Sequence, residues 1–240
     1  MRIDAEKCMG CLECIDFCPV DCIVEADGGA RIDEDECVEC GVCLRAGVCP
    51  NDALFMPEES LRYPRLVRAQ FSDPGVPHPT TNQAGRGTEE MKTNDVTGRF
   101  RRGEFGMALE FGRPGIGTRL TEIEKVLQAL MTMQVELEEN NPVFGLVADM
   151  KTGTLKPEVR NEKVLSAILE FKIRQERLEE IVRRLTPVLS EVDTVVSWGL
   201  ATRFAEDGSL PVLSRLDALG VPARPNGKVN MGMGRPIVEP

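Results

Sequence analysis

Apolar and polar residues alternate along several stretches in the middle of the chain. Phe105, Met107, Leu109 and Phe111 are separated by small or polar residues, the period of a strand with one buried face. The same period recurs at Met133, Val135 and Leu137, at Leu169, Phe171 and Ile173, and at Val196, Trp198 and Leu200. Between these strands the period changes. Leu120, Ile123, Leu127 and Leu130 share one face of a helix, with Thr121 and Glu124 spaced as a capping box. Leu178, Ile181, Val182 and Leu185 mark a second helix, disturbed at Pro187. The resulting order, strand–helix–strand–strand–helix–strand, is the split βαβ plan. It predicts an antiparallel sheet with both helices on one face across residues 104–206.

The flanking chain is patterned differently. Short strands are expected at Arg2–Asp4, Cys22–Glu25, Ala30–Asp33 and Ala53–Met56, the middle two forming a hairpin around Asp27-Gly28-Gly29. Residues 58–103 contain Pro64, Pro74, Pro77 and Pro79 and polar runs such as Thr80-Thr81-Asn82-Gln83. Proline at that density predicts an extended linker, with Leu61, Tyr63, Leu66, Val67 and Phe71 as apolar anchors. Residues 207–240 return to glycine and proline. Leu213, Leu216 and Leu219 predict one short helix there, and Gly227 to Pro236 an extended tail.

The cysteines change the picture. All nine lie between positions 8 and 49. Cys8, Cys11, Cys14 and Cys18-Pro19 follow a C-x2-C-x2-C-x3-C-P spacing, and Cys37, Cys40, Cys43 and Cys49-Pro50 make a second run. This is iron–sulfur ligation spacing. Zinc knuckles do not use the third close cysteine or the C-P ending, and nine closely spaced cysteines without an extracellular context do not read as a disulfide framework. The two runs form an internal repeat in which Cys22 aligns with Ala53, so Cys22 reads as a small buried apolar residue.

Over roughly residues 1–57 these runs resemble the bacterial two-[4Fe–4S] ferredoxins. In that family the fourth cysteine of each run ligates the other cluster. The resemblance therefore implies two [4Fe–4S] clusters, one on Cys8, Cys11, Cys14 and Cys49, the other on Cys37, Cys40, Cys43 and Cys18. One departure stands out. Five residues, Leu44 to Val48, separate Cys43 from Cys49, where the family usually has about three. The longer loop carries Arg45 and Gly47 near a cluster, and two unequal clusters are expected. The predicted fold class is thus α+β: a two-cluster ferredoxin module (1–57), an extended linker (58–103), a ferredoxin-like, ACT-like α/β sandwich (104–206) and a C-terminal extension (207–240).

Charge separates the parts further. The whole chain of 240 residues carries a net charge of −10, yet residues 1–60 hold 15 acidic and 4 basic side chains. The acidity belongs to the cysteine-bearing part and favours basic partners over nucleic acid. Arg99, Arg101 and Arg102 form a basic cluster near the end of the linker. No run of eighteen apolar residues spans a membrane. The cysteine usage and the start at Met1-Arg2-Ile3-Asp4, without a signal peptide, predict a cytoplasmic protein.

Other chemistry is sparse. Arg113, Gly115, Gly117, Thr118 and Arg119 lie in a glycine-rich loop ahead of the first helix, a candidate anion site. That loop, with Thr93 to Gly98, distantly resembles iron–sulfur proteins of the 6-hydroxynicotinate reductase type. His78 is the only histidine and reads as a bystander. Trp198 reads as core. No Ser/His/Asp set is available. The expected role is a non-catalytic electron-carrying subunit of a larger redox enzyme, with homo-oligomerisation through the C-terminal part a further expectation. The alternatives are a reductase with its own cofactor or substrate site in the C-terminal part, and a redox- or ligand-sensing regulator.

Overall fold

A computed structural model describes residues 1–82 and 100–226. Thr93 to Gly98, Arg99 and the Gly227 to Pro236 tail lie outside the described residues. At the N-terminus, β1 (Arg2–Ile3) pairs antiparallel with β4 (Leu54–Phe55), and β2 (Ile23–Ala26) with β3 (Gly29–Ile32). The β2–β3 turn needs Gly28 at φ +80°. A short helix, α1 (Val42–Arg45), lies within the second cysteine run and carries Cys43. Met1, Ile23, Ile32 and Leu54 pack with buried cysteine side chains into a small core.

The expected linker is not extended where it is described. Residues Glu58–Leu61 form a 3-10 turn and Leu66–Gln70 a helix, α2. Pro64 stands just ahead of that helix, where a missing N–H costs nothing and a fixed φ suits the turn. The proline count therefore misled. Val67 and Phe71 from α2 and its end are buried in the main core of residues 105–212, and full burial of a phenylalanine contributes about 1.5–3 kcal/mol. The segment wedges between the cysteine-bearing part and the larger sheet.

That sheet has four antiparallel strands. β5 (Glu104–Phe111) is central, and a two-residue strand, β6 (Thr118–Arg119), leads into α3 (Leu120–Met133). β7 (Glu136–Leu137) follows, then a 3-10 turn at Pro142–Leu146 and a small hairpin, β8 (Val147–Asp149) and β9 (Thr154–Leu155). β10 (Lys163–Val164) pairs with β6. β11 (Ala167–Arg174), α4 (Leu178–Ser190), β12 (Val196–Ala201) and α5 (Val212–Ala218) complete the described chain. The strand order is β12-β5-β11-β7, with Leu109 opposite both Leu169 and Trp198. Phe105, Met107, Leu109 and Phe111 face Leu120, Ile123, Leu127, Leu130, Ile181 and Leu185 in one core. Mixed helix and strand of this kind is α+β.

Four local expectations are corrected. The second strand shrinks to Glu136–Leu137 because α3 runs on to Met133 and Gln134 ends it in the left-handed region, at φ 51°. Thr121 and Glu124 do not form a capping box. Glu124 is drawn inward and accepts from Leu155 N (2.8 Å) and Arg160 Nε (2.7 Å). α4 continues through Pro187 to Ser190. Val212, Leu216 and Leu219 pack on the main core, so the chain beyond 207 begins as part of that body. Trp198 also packs against this core, its indole N–H directed at Met107 Sδ (3.4 Å).

Candidate metal centre

Two cavities open in the N-terminal part, and the cysteines divide between them. Cys8, Cys11, Cys14 and Cys49 line one, together with Ile3, Leu12, Ala30, Ala53 and Leu54. Cys18, Cys37, Cys40 and Cys43 line the other, together with Cys22, Ile23 and Ile32. All nine cysteines are free thiols. Each cavity thus takes three sulfurs from one run and the fourth from the other.

Local backbone explains the convergence. Gly10 and Gly41 adopt positive φ (75° and 67°) within the two C-x2-C loops, which folds consecutive cysteines back toward one point. N–H groups then turn toward sulfur. Backbone N–H of Ala30 and Gly10 hold the Cys8 thiol below its ordinary pKa. The N–H of Cys22 reaches Cys18 Sγ at 3.2 Å, and in the other half the N–H of Ala53 reaches Cys49 Sγ at 3.2 Å. The repeat in sequence is therefore a repeat in geometry. Gly29 supplies the clearance: a β-carbon there would stand 2.8 Å from Cys8 Sγ.

The second cavity is set apart by Cys22. Its sulfur lies 3.4 Å from Cys18 Sγ. As a thiol beside it, Cys22 lowers Cys18 to about 6 and Cys37 to about 7. The Cys22 thiol itself is pushed upward, first by Cys18, then by Cys37 and by burial. Burial raises Cys40 and, with the neighbouring thiols, drives Cys43 up to about 12. Low-pKa and high-pKa sulfurs in one wall form a donor set that a cation of high charge completes by displacing protons.

Three arginines brace the loop carrying Cys37 and Cys40. Arg68, 4 % exposed, donates through Nη1 to the carbonyls of Glu34 (2.9 Å), Asp35 (2.9 Å) and Cys37 (2.7 Å). Its Nε pairs with Glu162 of the larger body. Arg65 donates to Glu39 Oε1 (2.7 Å) and to the Glu34 carbonyl (2.8 Å). Glu39 is fully buried and also pairs with the N-terminal ammonium group. Arg45, the last residue of α1, donates to Cys40 O (2.5 Å) and Asp73 Oδ1 (2.7 Å). Only Arg45 was singled out by the sequence. Arg65 and Arg68 sit in the segment read as linker, with nothing local to mark them.

The glycine-rich loop is placed differently from an open anion site. Gly115 abuts the carbonyl of Pro19, where a β-carbon would be 3.2 Å away, and Gly117 abuts the carbonyl of Val164 and the side chain of Val38. Arg119 pairs with Glu36 and donates to Asn161 O (3.0 Å). Arg113 lies 3.6 Å from Glu110. Thr118 is buried and donates to the carbonyl of Arg119 (3.2 Å). The loop packs the larger body onto the cysteine-bearing part. His78, read as a bystander, is buried edge-on to Phe71 at 4.9 Å, and its Nδ1 accepts from Thr80 N (3.2 Å). Burial lowers it to about 4.

Cysteine cavities lined with inward N–H groups define an iron–sulfur protein of the electron-transfer class. Residues 1–24 match the 4Fe-4S binding domain. The chain is 44 % identical over 68 residues to a ferredoxin of Streptomyces griseus, covering 27 % of this chain and 63 % of that protein. It is 39 % identical over 79 residues to a ferredoxin of Saccharopolyspora erythraea, covering 30 % and 73 %. It is 42 % identical over 72 residues to a seven-iron ferredoxin of Hydrogenibacillus schlegelii, covering 28 % and 90 %. The chain belongs, through this N-terminal segment, to the bacterial-type 4Fe–4S ferredoxins. Among the described residues no helix is long and apolar enough to cross a membrane.

Proposed function

We propose that the chain holds two [4Fe–4S] clusters, on Cys8, Cys11, Cys14 and Cys49 and on Cys18, Cys37, Cys40 and Cys43, and that it serves as the cytoplasmic electron-carrying subunit of a larger redox enzyme. The observation that carries this reading is the division of the nine cysteines between two cavities, four in the first and, with Cys22, five in the second. When bound, such clusters supply one-electron chemistry. The protein supplies the rest. Backbone N–H groups at Cys8, Cys18 and Cys49 stabilise negative charge on sulfur. Arg45, Arg65 and Arg68 hold the second loop in shape and place positive charge beside it. Cys22 offers an S–H to Cys18.

The larger body supplies attachment, in this reading, to the catalytic subunit or to a second copy of the chain. A reductase site of its own had rested on the 112–119 loop, whose glycines and Arg119 are engaged in packing against the cysteine-bearing part. Anaerobic iron and sulfide analysis tests the cluster assignment, with about eight of each per chain expected. About seven irons, the number in the name of one relative, would point to one site holding fewer than four irons. Stoichiometric zinc, or about four irons, would overturn the two-cluster reading. Purification from the source cell under native conditions tests the subunit role, since the catalytic partner should accompany the chain.

A further inference from the structure

The two cysteine sets differ in what stands in front of them. Around the first cavity Cys11 is exposed, Cys8 and Cys49 are half-buried and Cys14 is buried. Around the second, Cys37, Cys40 and Cys43 are buried and Cys18 is half-buried. Part of that burial comes from the chain itself. Gly115 lies on Pro19, Gly117 on Val38, Glu36 pairs with Arg119 and Lys163, and Arg68 pairs with Glu162. The larger body occupies a flank of the second site and leaves the first open.

A specific surface surrounds that opening. Met9, between Cys8 and Cys11, lines the first cavity and is 64 % exposed. The loop carrying it rests on the β2–β3 turn, where a β-carbon on Gly10 would be 3.2 Å from Gly28 O. Glu6, Glu13 and Asp27, all exposed, lie on this loop or turn against one exposed cation, Lys7. An exposed apolar side chain on a loop that also carries exposed acid suits a partner with an apolar hollow bordered by lysine or arginine.

We propose that electrons enter and leave through the Met9–Cys11 face, and that the partner docking there is a basic one-electron redox protein. The inference rests on the two-cluster reading, and the second site is then the inner one, shielded by this chain's own body. Electron exchange at a protein surface favours the redox centre that a partner can approach most closely. Complementary charge brings the partner there and fixes its orientation.

The test uses the full holoprotein, with cytochrome c as the basic one-electron acceptor. Iron content and both reduction signals are measured first, so a failure of the two-cluster reading is recognised before docking is examined. Charge reversal at the face (E13K with D27K) should slow oxidation by cytochrome c about tenfold at low salt and flatten its salt dependence. The same change of net charge on the larger body, E191K with E206K, should alter the rate less than about twofold. Carbodiimide coupling to cytochrome c lysines should yield amides at Glu6, Glu13 or Asp27. Equal effects of the two charge reversals would reduce the attraction to net charge and overturn the proposal. Coupling concentrated at Asp21 or Asp35, or slowing caused by F17E and not by M9E, would also overturn it, because Phe17 lines the second cavity and is 40 % exposed.

Discussion

A β-carbon placed on Gly29 would stand 2.8 Å from the sulfur of Cys8. The hairpin turn and the first cysteine cavity therefore share one constraint, since the strand opening at Gly29 forms a wall of that cavity. The obstruction involves a side chain whose position ligation would fix, so it cannot move aside without giving up that position.

Gly29→Ala is expected to remove one set of irons and spare the other, lowering iron from about eight to about four per chain. The signals that remain should be those of the second site. Anaerobic iron analysis with low-temperature electron paramagnetic resonance checks this. A variant retaining all its iron would show that Cys8 is not held where Gly29 meets it.

Cys22 and Ala53 occupy matching places, each donating its N–H to the last cysteine of a run at 3.2 Å. Cys22→Ala should therefore keep both clusters. It removes an S–H beside Cys18 and Cys37, and donors to sulfur stabilise the more negative, reduced state. The second site's potential should fall by about 20–60 mV, the equivalent of one hydrogen bond worth roughly 0.5–1.5 kcal/mol. Redox titration of both signals measures it. Loss of a whole cluster would make Cys22 a ligand.

Arg68 joins three carbonyls of the Glu34–Cys37 loop to Glu162, far away in sequence. Arg68→Met leaves a mostly buried carboxylate and three acceptors without their donor, a loss of about 3–5 kcal/mol for a broken buried pair. Iron should leave the second site first during anaerobic denaturation. Pairing the change with Glu162→Gln should recover part of the loss. Equal lability of both sites in Arg68→Met would show that the guanidinium does not brace one loop in particular.

The sequence was most legible where a local rule operates. Cysteine spacing is legible because three sulfurs must converge within a few residues. Alternation at 105–111 and 169–173 is legible because the large apolar side chains of those strands share the face packed against helices, although Ala108, Glu110 and Glu170 on the other face are buried as well. The arginine braces were hidden, since Arg68 and its partners meet only after the chain has folded. α2 was hidden by prolines that start it instead of excluding it. Glu124 looked like a cap because its spacing from Thr121 fits one, yet Leu155 N and Arg160 compete for its carboxylate and win. Gly115 and Gly117 looked like an anion cradle because close backbone approach to a ligand and to another part of the chain require the same residue.

His78 connects burial to pH. Its imidazole lies against Phe71, and burial lowers its pKa from 6.5 to about 4. The folded chain keeps the ring neutral, whereas the unfolded chain binds a proton below about 6.5. Between these values unfolding takes up a proton, so stability is fully present above pH 6.5 and is lost as pH falls through about 4. The slope approaches but does not exceed about 1.4 kcal/mol per pH unit. Replacing His78 with phenylalanine should remove this contribution while filling the same space. Unfolding in denaturant, followed anaerobically at pH 7.5, 6 and 5, should therefore show natural protein losing stability relative to His78→Phe as pH falls. Carboxylates also titrate toward the acid end, but they are common to both proteins and cancel in the difference. A difference that stays constant across this range would mean that the folded imidazole takes up a proton as readily as the unfolded one, with water or a carboxylate reaching it.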